Sequence, residues 1–181
     1  FCVGLSAGAL ATARAGVAAP FLKPVRDSVS RLPVGRWSPF LTNHVHVLVM
    51  TVLAGVRAKV RIAAVALLML PGLPFVYYGE EIGMRGAKPD EQIRTPMQWS
   101  SAPGAGFTTG TPWEKPQADW TVTNVQAQDG DAGSLLNNYR RLIHLRHEHS
   151  ALSGGDLIVG SAMYATIATF VRRSHTEPIL C

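Results

Sequence analysis

Residues 62–78 read IAAVALLMLPGLPFVYY. The run is almost wholly apolar and approaches the length of a membrane span. Pro71, Gly72 and Pro74 break it in the middle, because proline removes a helical N–H and clashes with the preceding turn. A buried helix followed by a buried strand over Phe75–Tyr78 accounts for it better. The helix is expected over 55–70, with Lys59 and Arg61 near its polar start and a wholly apolar end. Before it, residues 36–42 (RWSPFLT) form a short aromatic and apolar run that reads as a strand, with Pro39 inside it. Residues 36–78 thus have a strand–helix–strand rhythm, the signature of parallel α/β architecture. Residues 37–41 and 74–78 are expected to be adjacent parallel strands joined by a right-handed crossover.

Outward from this unit, residues 4–15 (GLSAGALATARA) and 20–31 are expected to be helices, the second with Pro20 in its first turn. Residues 79–133 are rich in Gly and Pro with little periodicity, and read as one long loop on a scaffold. Residues 134–149 (SLLNNYRRLIHLRHEH) predict a strong amphipathic helix. Leu135, Tyr139, Leu142, Ile143 and Leu145 supply its apolar face, and Ser134 its N-cap. After Gly154–Gly155, residues 156–160 and 163–171 are expected to be strands of a separate all-β element. Residues 1–150 are therefore assigned to one domain and 151–181 to the start of another.

Composition narrows the function. Hydrophobic residues make up 47% of the chain and charged residues 16%, which excludes an intrinsically disordered protein. Net charge is +5, but the basic residues are scattered, and the clusters at Arg57–Arg61 and Arg140–Arg146 read as polar helix faces. Without a recognition motif this charge points away from nucleic acid, and the broken apolar run points away from a membrane. Two cysteines, Cys2 and Cys181, make neither a disulfide framework nor a metal spacing, and suggest a cytosolic protein.

Polar residues stand just where the two strand runs end: Asn43, His44 and His46 after the first, Glu80 and Glu81 after the second. Polar groups that abruptly follow a buried run must face a cavity or find partners. Three segments then carry a resemblance: Phe40-Leu41-Thr42-Asn43-His44, Tyr77-Tyr78-Gly79-Glu80-Glu81-Ile82-Gly83, and Ile93-Arg94-Thr95-Pro96-Met97-Gln98-Trp99 followed by Gly106-Phe107-Thr108-Thr109. In this order and spacing they resemble the α-amylase superfamily, especially its α-glucosidase and oligo-1,6-glucosidase branch, from about residue 4 to about 155. The resemblance implies an α/β fold, a partial (β/α)8 barrel holding the last two strands and their helices, where chemistry sits at the C-terminal strand ends. It implies that His44, beside Asn43, hydrogen-bonds sugar hydroxyls next to the cleaved bond. It implies that Arg94 fixes the non-reducing-end glucose, and that Tyr78, Gly79 and Glu81 are structural at the barrel mouth. By type alone, Glu80 and Glu81 also suit an acid/base pair. Trp99, Phe107, Trp113 and Trp120 suit either sugar stacking or packing within the loop.

The chain departs from that family where the chemistry lies. Retaining glycosidases need a carboxylate nucleophile and a carboxylic acid flanking the scissile bond. The resemblance places these at the fourth and fifth strands, upstream of Phe1. A third family carboxylate falls at Val45, which neither accepts a hydrogen bond nor stabilises positive charge. No catalytic residue is therefore expected here, and the chain alone is expected to be inactive. His44-x-His46 lacks the third ligand that zinc requires, so no metal or other cofactor is expected.

The expected partner is an α-linked gluco-oligosaccharide, and uncovered barrel edges imply self-association. The competing readings are a non-catalytic carbohydrate-binding or interaction module and, within the family, a trehalose synthase or a plain α-amylase.

Overall fold

The computed structural model describes residues 3–4, 39–40, 48–160 and 167–181. Strand β1 (Val3–Gly4) pairs in parallel with β2 (Pro39–Phe40), Val3 opposite Pro39 and Gly4 opposite Phe40. The pairing is parallel, as expected of α/β architecture, but the partner of β2 in this ladder is β1 and not the expected 74–78. Gly4, expected to open a helix, lies instead in β1, because its backbone is taken into this ladder. The remainder of the helices expected over 4–15 and 20–31 falls outside the described residues.

Helix α1 (Val49–Val52) is one turn, and α2 (Arg57–Met69) is the helix foreseen over 55–70. Val60, Ala63, Ala64, Leu67 and Leu68 are buried at the i, i+3, i+4, i+7, i+8 spacing of a single face. Ile62 and Val65 lie off that face and are exposed. The strand expected over Phe75–Tyr78 contracts to one bridge residue, Phe75, and is not buried, since Phe75, Val76 and Tyr78 are all exposed. Pro74 removes a ladder donor on one side, and the turn at Tyr78–Gly79 ends the extended chain on the other.

The loop of 79–133 is less irregular than its composition suggests. It holds short 3-10 turns at Glu80–Ile82 and Pro103–Gly106, and helices α3 (Asp90–Ile93) and α4 (Val125–Asp129). Asn124 caps α4 by accepting from the Ala127 N–H at 2.8 Å. Helix α5 (Leu135–Glu148) follows, and Ser134 Oγ accepts from the Asn137 N–H at 3.1 Å, the N-cap contact foreseen for it. The buried residues of α5 are Leu135, Leu136 and Tyr139; Ile143 and Leu145 are exposed, so the apolar face is shorter than the pattern implied.

The structure divides into two compact units. One takes in Phe1–Leu41, Ile62–Phe75 and Leu142–Cys181, the other Thr42–Arg61 and Val76–Arg141, so far as their residues are described. In the second unit Leu48, Ile82, Met84, Ile93, Met97 and Leu136 form a core, with Tyr77 and Val125 packed against it.

The first unit ends in a short helix α6 (Ser150–Gly154) and an antiparallel sheet β3-β4-β5 (Asp156–Val159, Phe170–Arg173, Pro178–Leu180). Of the strand foreseen at 163–171, residues 163–166 lie outside the described residues, 167–169 are not strand, and β4 runs from Phe170 through Arg172 and Arg173. Its polar end concealed it, because Phe170 and Arg172 share the buried face of β4.

The turn between β4 and β5 clasps α6. Glu177 Oε2 lies 2.8 Å from His149 Nδ1, while Oε1 accepts from Ser150 Oγ and the Ala151 N–H, each at 3.2 Å. The His149 bond first, and the Ala151 N–H next, hold the Glu177 carboxyl below its ordinary value of 4.5. A carboxyl depressed in the folded state stabilises above its unfolded value, and that stability is lost as pH falls through the folded value. Thermal melts of the unmodified chain and of Glu177→Gln are therefore expected to differ near neutral pH and to converge below pH 4.5. A gap that persists unchanged into acid would contradict this.

Candidate functional site

Gly79 and Gly83 bracket the Glu80–Ile82 turn, both in the left-handed region at φ 81° and 82°. A Cβ on Gly79 would lie 2.3 Å from Met84 Sδ, so no larger residue fits without rearrangement. The Met84 N–H donates to Gly79 O at 2.8 Å and closes the loop. Ile82 and Met84 then enter the core.

This geometry divides the two carboxylates. Glu80 is fully buried, and its Oε1 accepts from the Tyr139 hydroxyl on α5 at 2.7 Å. Burial first, then Glu80 and Glu81, push the Tyr139 phenol well above its ordinary value. Glu81 is partly buried, and burial raises its carboxyl, offset by the backbone N–H groups of Glu81 itself and Gly79. Its Oε2 is buried with no hydrogen-bond partner among the described residues.

Tyr77 and Tyr78 stack loosely, ring centroids 4.8 Å apart and planes tilted by 37°. Tyr77 packs on the core, while Tyr78 remains exposed along part of its ring and donates its hydroxyl to Thr95 O at 2.9 Å. Its pKa is pushed up to about 12, by burial first and then by Tyr77, with Arg94 opposing. At neutral pH it is a neutral donor beside a fixed cation.

Arg94 ends α3, and its Nη2 donates to Asp90 Oδ2 at 2.8 Å. Lys88 pairs with the other carboxylate oxygen, Oδ1. The next residue, Thr95, is held twice, by Tyr78 and by Gln117 Nε2, which donates to Thr95 Oγ1 at 3.2 Å. Gln117 also bonds both backbone groups of Arg85, accepting from its N–H at 2.9 Å and donating to its carbonyl.

The structure thus brings Tyr78, Gly79, Glu81 and Arg94 into one unit around the Glu80–Ile82 turn and α3. Asn43, His44 and Val45 lie outside the described residues. Among the aromatic residues, Trp99, Phe107 and Trp113 are exposed, while the buried indole N–H of Trp120 finds no partner among the described residues. The sequence reading missed Tyr139 as the partner of Glu80, Gln117 as the brace of Thr95, and Asp90 as the partner of Arg94. Two signals were available: a tyrosine on a buried helix face needs a hydroxyl partner, and Asp90 stands four residues before Arg94 on a helix.

No group of three or more metal-ligating side chains occurs among the described residues, and none of their helices is long and apolar enough to cross a membrane. Tyr78 is a neutral phenol at neutral pH, and it and the Arg94 guanidinium both reach solvent.

Known proteins resemble the chain along most of its length. The family described as "Alpha amylase, catalytic domain" matches residues 17–155. Alpha-amylase 3 of Dictyoglomus thermophilum is 38% identical over 120 residues, which is 65% of this chain and 24% of that protein. The probable oligo-1,6-glucosidase 2 of Bacillus subtilis is 32% identical over 136 residues, 55% of this chain and 24% of that one. The crystal structure of the α-amylase from H. orenii superposes with a TM-score of 0.87 at 36% identity, covering 99% of this chain and 38% of that structure. The chain belongs to the α-amylase family of glycoside hydrolases, whose catalytic domain is a (β/α)8 barrel. It spans about a quarter of the length of these two sequence relatives.

Proposed function

We propose that this chain is the C-terminal part of the catalytic barrel of a retaining glycoside hydrolase acting on α-glucosidic bonds of malto- or isomalto-oligosaccharides, and that it supplies sugar-binding groups rather than the chemistry. In this reading β2 is the seventh barrel strand, the segment through Phe75 is the eighth, and β3-β4-β5 begins a C-terminal β domain. The observation that carries the reading is the meeting of Tyr78 and Arg94 at Thr95, beside the Gly79–Gly83 turn. A guanidinium and a phenol held there suit the hydroxyls of a terminal glucose, with Asn43 and His44 as further hydroxyl partners from the preceding strand end. Glu80 is engaged by Tyr139, and Glu81 accepts from backbone N–H groups while its Oε2 has no partner among the described residues; in this reading both serve the turn's structure.

The purified chain is expected to release no measurable p-nitrophenol from p-nitrophenyl α-glucoside. Val45→Asp alone is expected to leave it inactive, because nucleophile and acid are both still missing. Turnover that disappears on Glu81→Gln would contradict the reading and assign the chemistry to the Glu80–Glu81 pair.

A further inference from the structure

We infer that Gln117 is a positioning residue: through Thr95 it sets the Tyr78 hydroxyl to accept, rather than donate, a hydrogen bond from a bound sugar. This role rests on the sugar-site reading above, and it gives that site a contributor from the far limb of the long loop.

Among the described residues, 100–116 hydrogen-bond only to one another and to Trp99. Gln117 is where this excursion is refastened, and it uses its whole amide to do so. Oε1 accepts from the Arg85 N–H at 2.9 Å, and Nε2 donates to the Arg85 carbonyl. That is the exchange a residue opposite Arg85 in an antiparallel ladder would make. Arg85 is a fixed anchor for it. The next residue, Gly86, donates its N–H to Thr51 Oγ1 and accepts from the Leu48 N–H, each at 2.9 Å.

A primary amide has a second N–H, which a backbone partner lacks. Nε2 gives it to Thr95 Oγ1 at 3.2 Å. A strut that only tied the loop to Arg85 would need the first two bonds, whereas the third reaches the site. Thr95 is 7% exposed and is held at both ends, its hydroxyl by Gln117 and its carbonyl by the Tyr78 hydroxyl at 2.9 Å. A phenol has one hydrogen to give. With that hydrogen spent on Thr95 O, the Tyr78 oxygen offers lone pairs only, on a ring that is partly exposed. A sugar hydroxyl that meets it has to donate.

The test is calorimetric titration of the full chain with maltose, with melting temperatures alongside. The proteins are the unmodified chain, Tyr78→Phe, Thr95→Val, Thr95→Ser, Gln117→Ala and the Tyr78→Phe/Gln117→Ala double variant. Tyr78→Phe is expected to weaken binding about five-fold, the loss of one neutral hydrogen bond. Thr95→Val and Gln117→Ala are each expected to weaken it about three-fold, as the phenol loses its fixed direction, with the melting temperature of Thr95→Val nearly unchanged. Thr95→Ser, which keeps the hydroxyl, is expected to bind like the unmodified chain. The double variant is expected to bind no worse than Tyr78→Phe, because Gln117 acts only through Tyr78. Full affinity in Thr95→Val and Gln117→Ala, beside a loss in Tyr78→Phe, would overturn the positioning role and leave the sugar site standing. A Gln117→Ala loss that persists on the Tyr78→Phe background would overturn it too, as would a Thr95→Ser variant as weak as Thr95→Val. Undiminished binding in Tyr78→Phe, or no binding heat in the unmodified chain, would remove the sugar-site reading at Tyr78 and this inference with it.

Discussion

Replacing Arg172 by alanine is expected to destabilise the chain by about 3–5 kcal/mol, the sum of two orphaned carbonyls and a cavity. In a domain of this size that lowers the melting temperature by about 10 °C. The reason begins at Pro71. The last carbonyls of a helix need donors from beyond its end, and a proline two residues past α2 offers none. Arginines from elsewhere in the same unit take over. Arg172 on β4 donates to Met69 O and to Gly155 O, each at 2.7 Å. Arg146 on α5 donates to the carbonyls of Leu68, Leu70 and Gly72. Both cations also meet the negative end of the α2 dipole.

Arg172 is fully buried, and its Nε has no hydrogen-bond partner among the described residues. Burial first, and Arg146 second, lower its pKa to about 10, with Cys181 and Asp156 opposing. It stays charged at neutral pH, and its desolvation is a cost that apolar isosteres escape. Arg172→Met is therefore expected to be destabilised less than Arg172→Ala, yet more than Arg172→Lys, which keeps the charge and can still reach a carbonyl. Thermal or urea unfolding of the three variants checks this order. A methionine variant at least as stable as the unmodified chain would show the guanidinium to be a net burden.

How far the sequence could be read follows from which physical signals are local. Helix α2 was foreseen over 55–70 and spans Arg57–Met69, because one apolar stripe and a terminal proline are properties of the segment itself. Helix α5 and its Ser134 cap were legible for the same reason. The family could be read from three short segments, and the matched region 17–155 contains all of them. The strand at Phe75–Tyr78 was overdrawn, since an apolar run specifies burial only when partners cover it, and Phe75 is exposed. The course of β4 was misjudged because Arg172 looks like a surface residue until the α2 carbonyls that need it are in place.

At the site, periodicity could not reveal that Tyr139 would reach Glu80 across 59 residues of sequence, or that Gln117 would stand in for a backbone partner of Arg85 across 32. Asp90 was the nearest of the missed residues, an ordinary helix neighbour four positions before Arg94.

The proposed sugar site requires the chain to hold an α-glucoside through Arg94 without cleaving it. Charge-assisted hydrogen bonds from a guanidinium are worth about 1.5–3 kcal/mol, so losing them weakens binding by roughly ten- to a hundred-fold. The direct measurement is isothermal titration of the 181-residue chain with maltose, beside Arg94→Ala. Saturable binding heat is expected, with a baseline that returns to zero after each injection and a loss of at least ten-fold in affinity for the variant. A sustained heat of hydrolysis, or equal affinity in the two proteins, would contradict it.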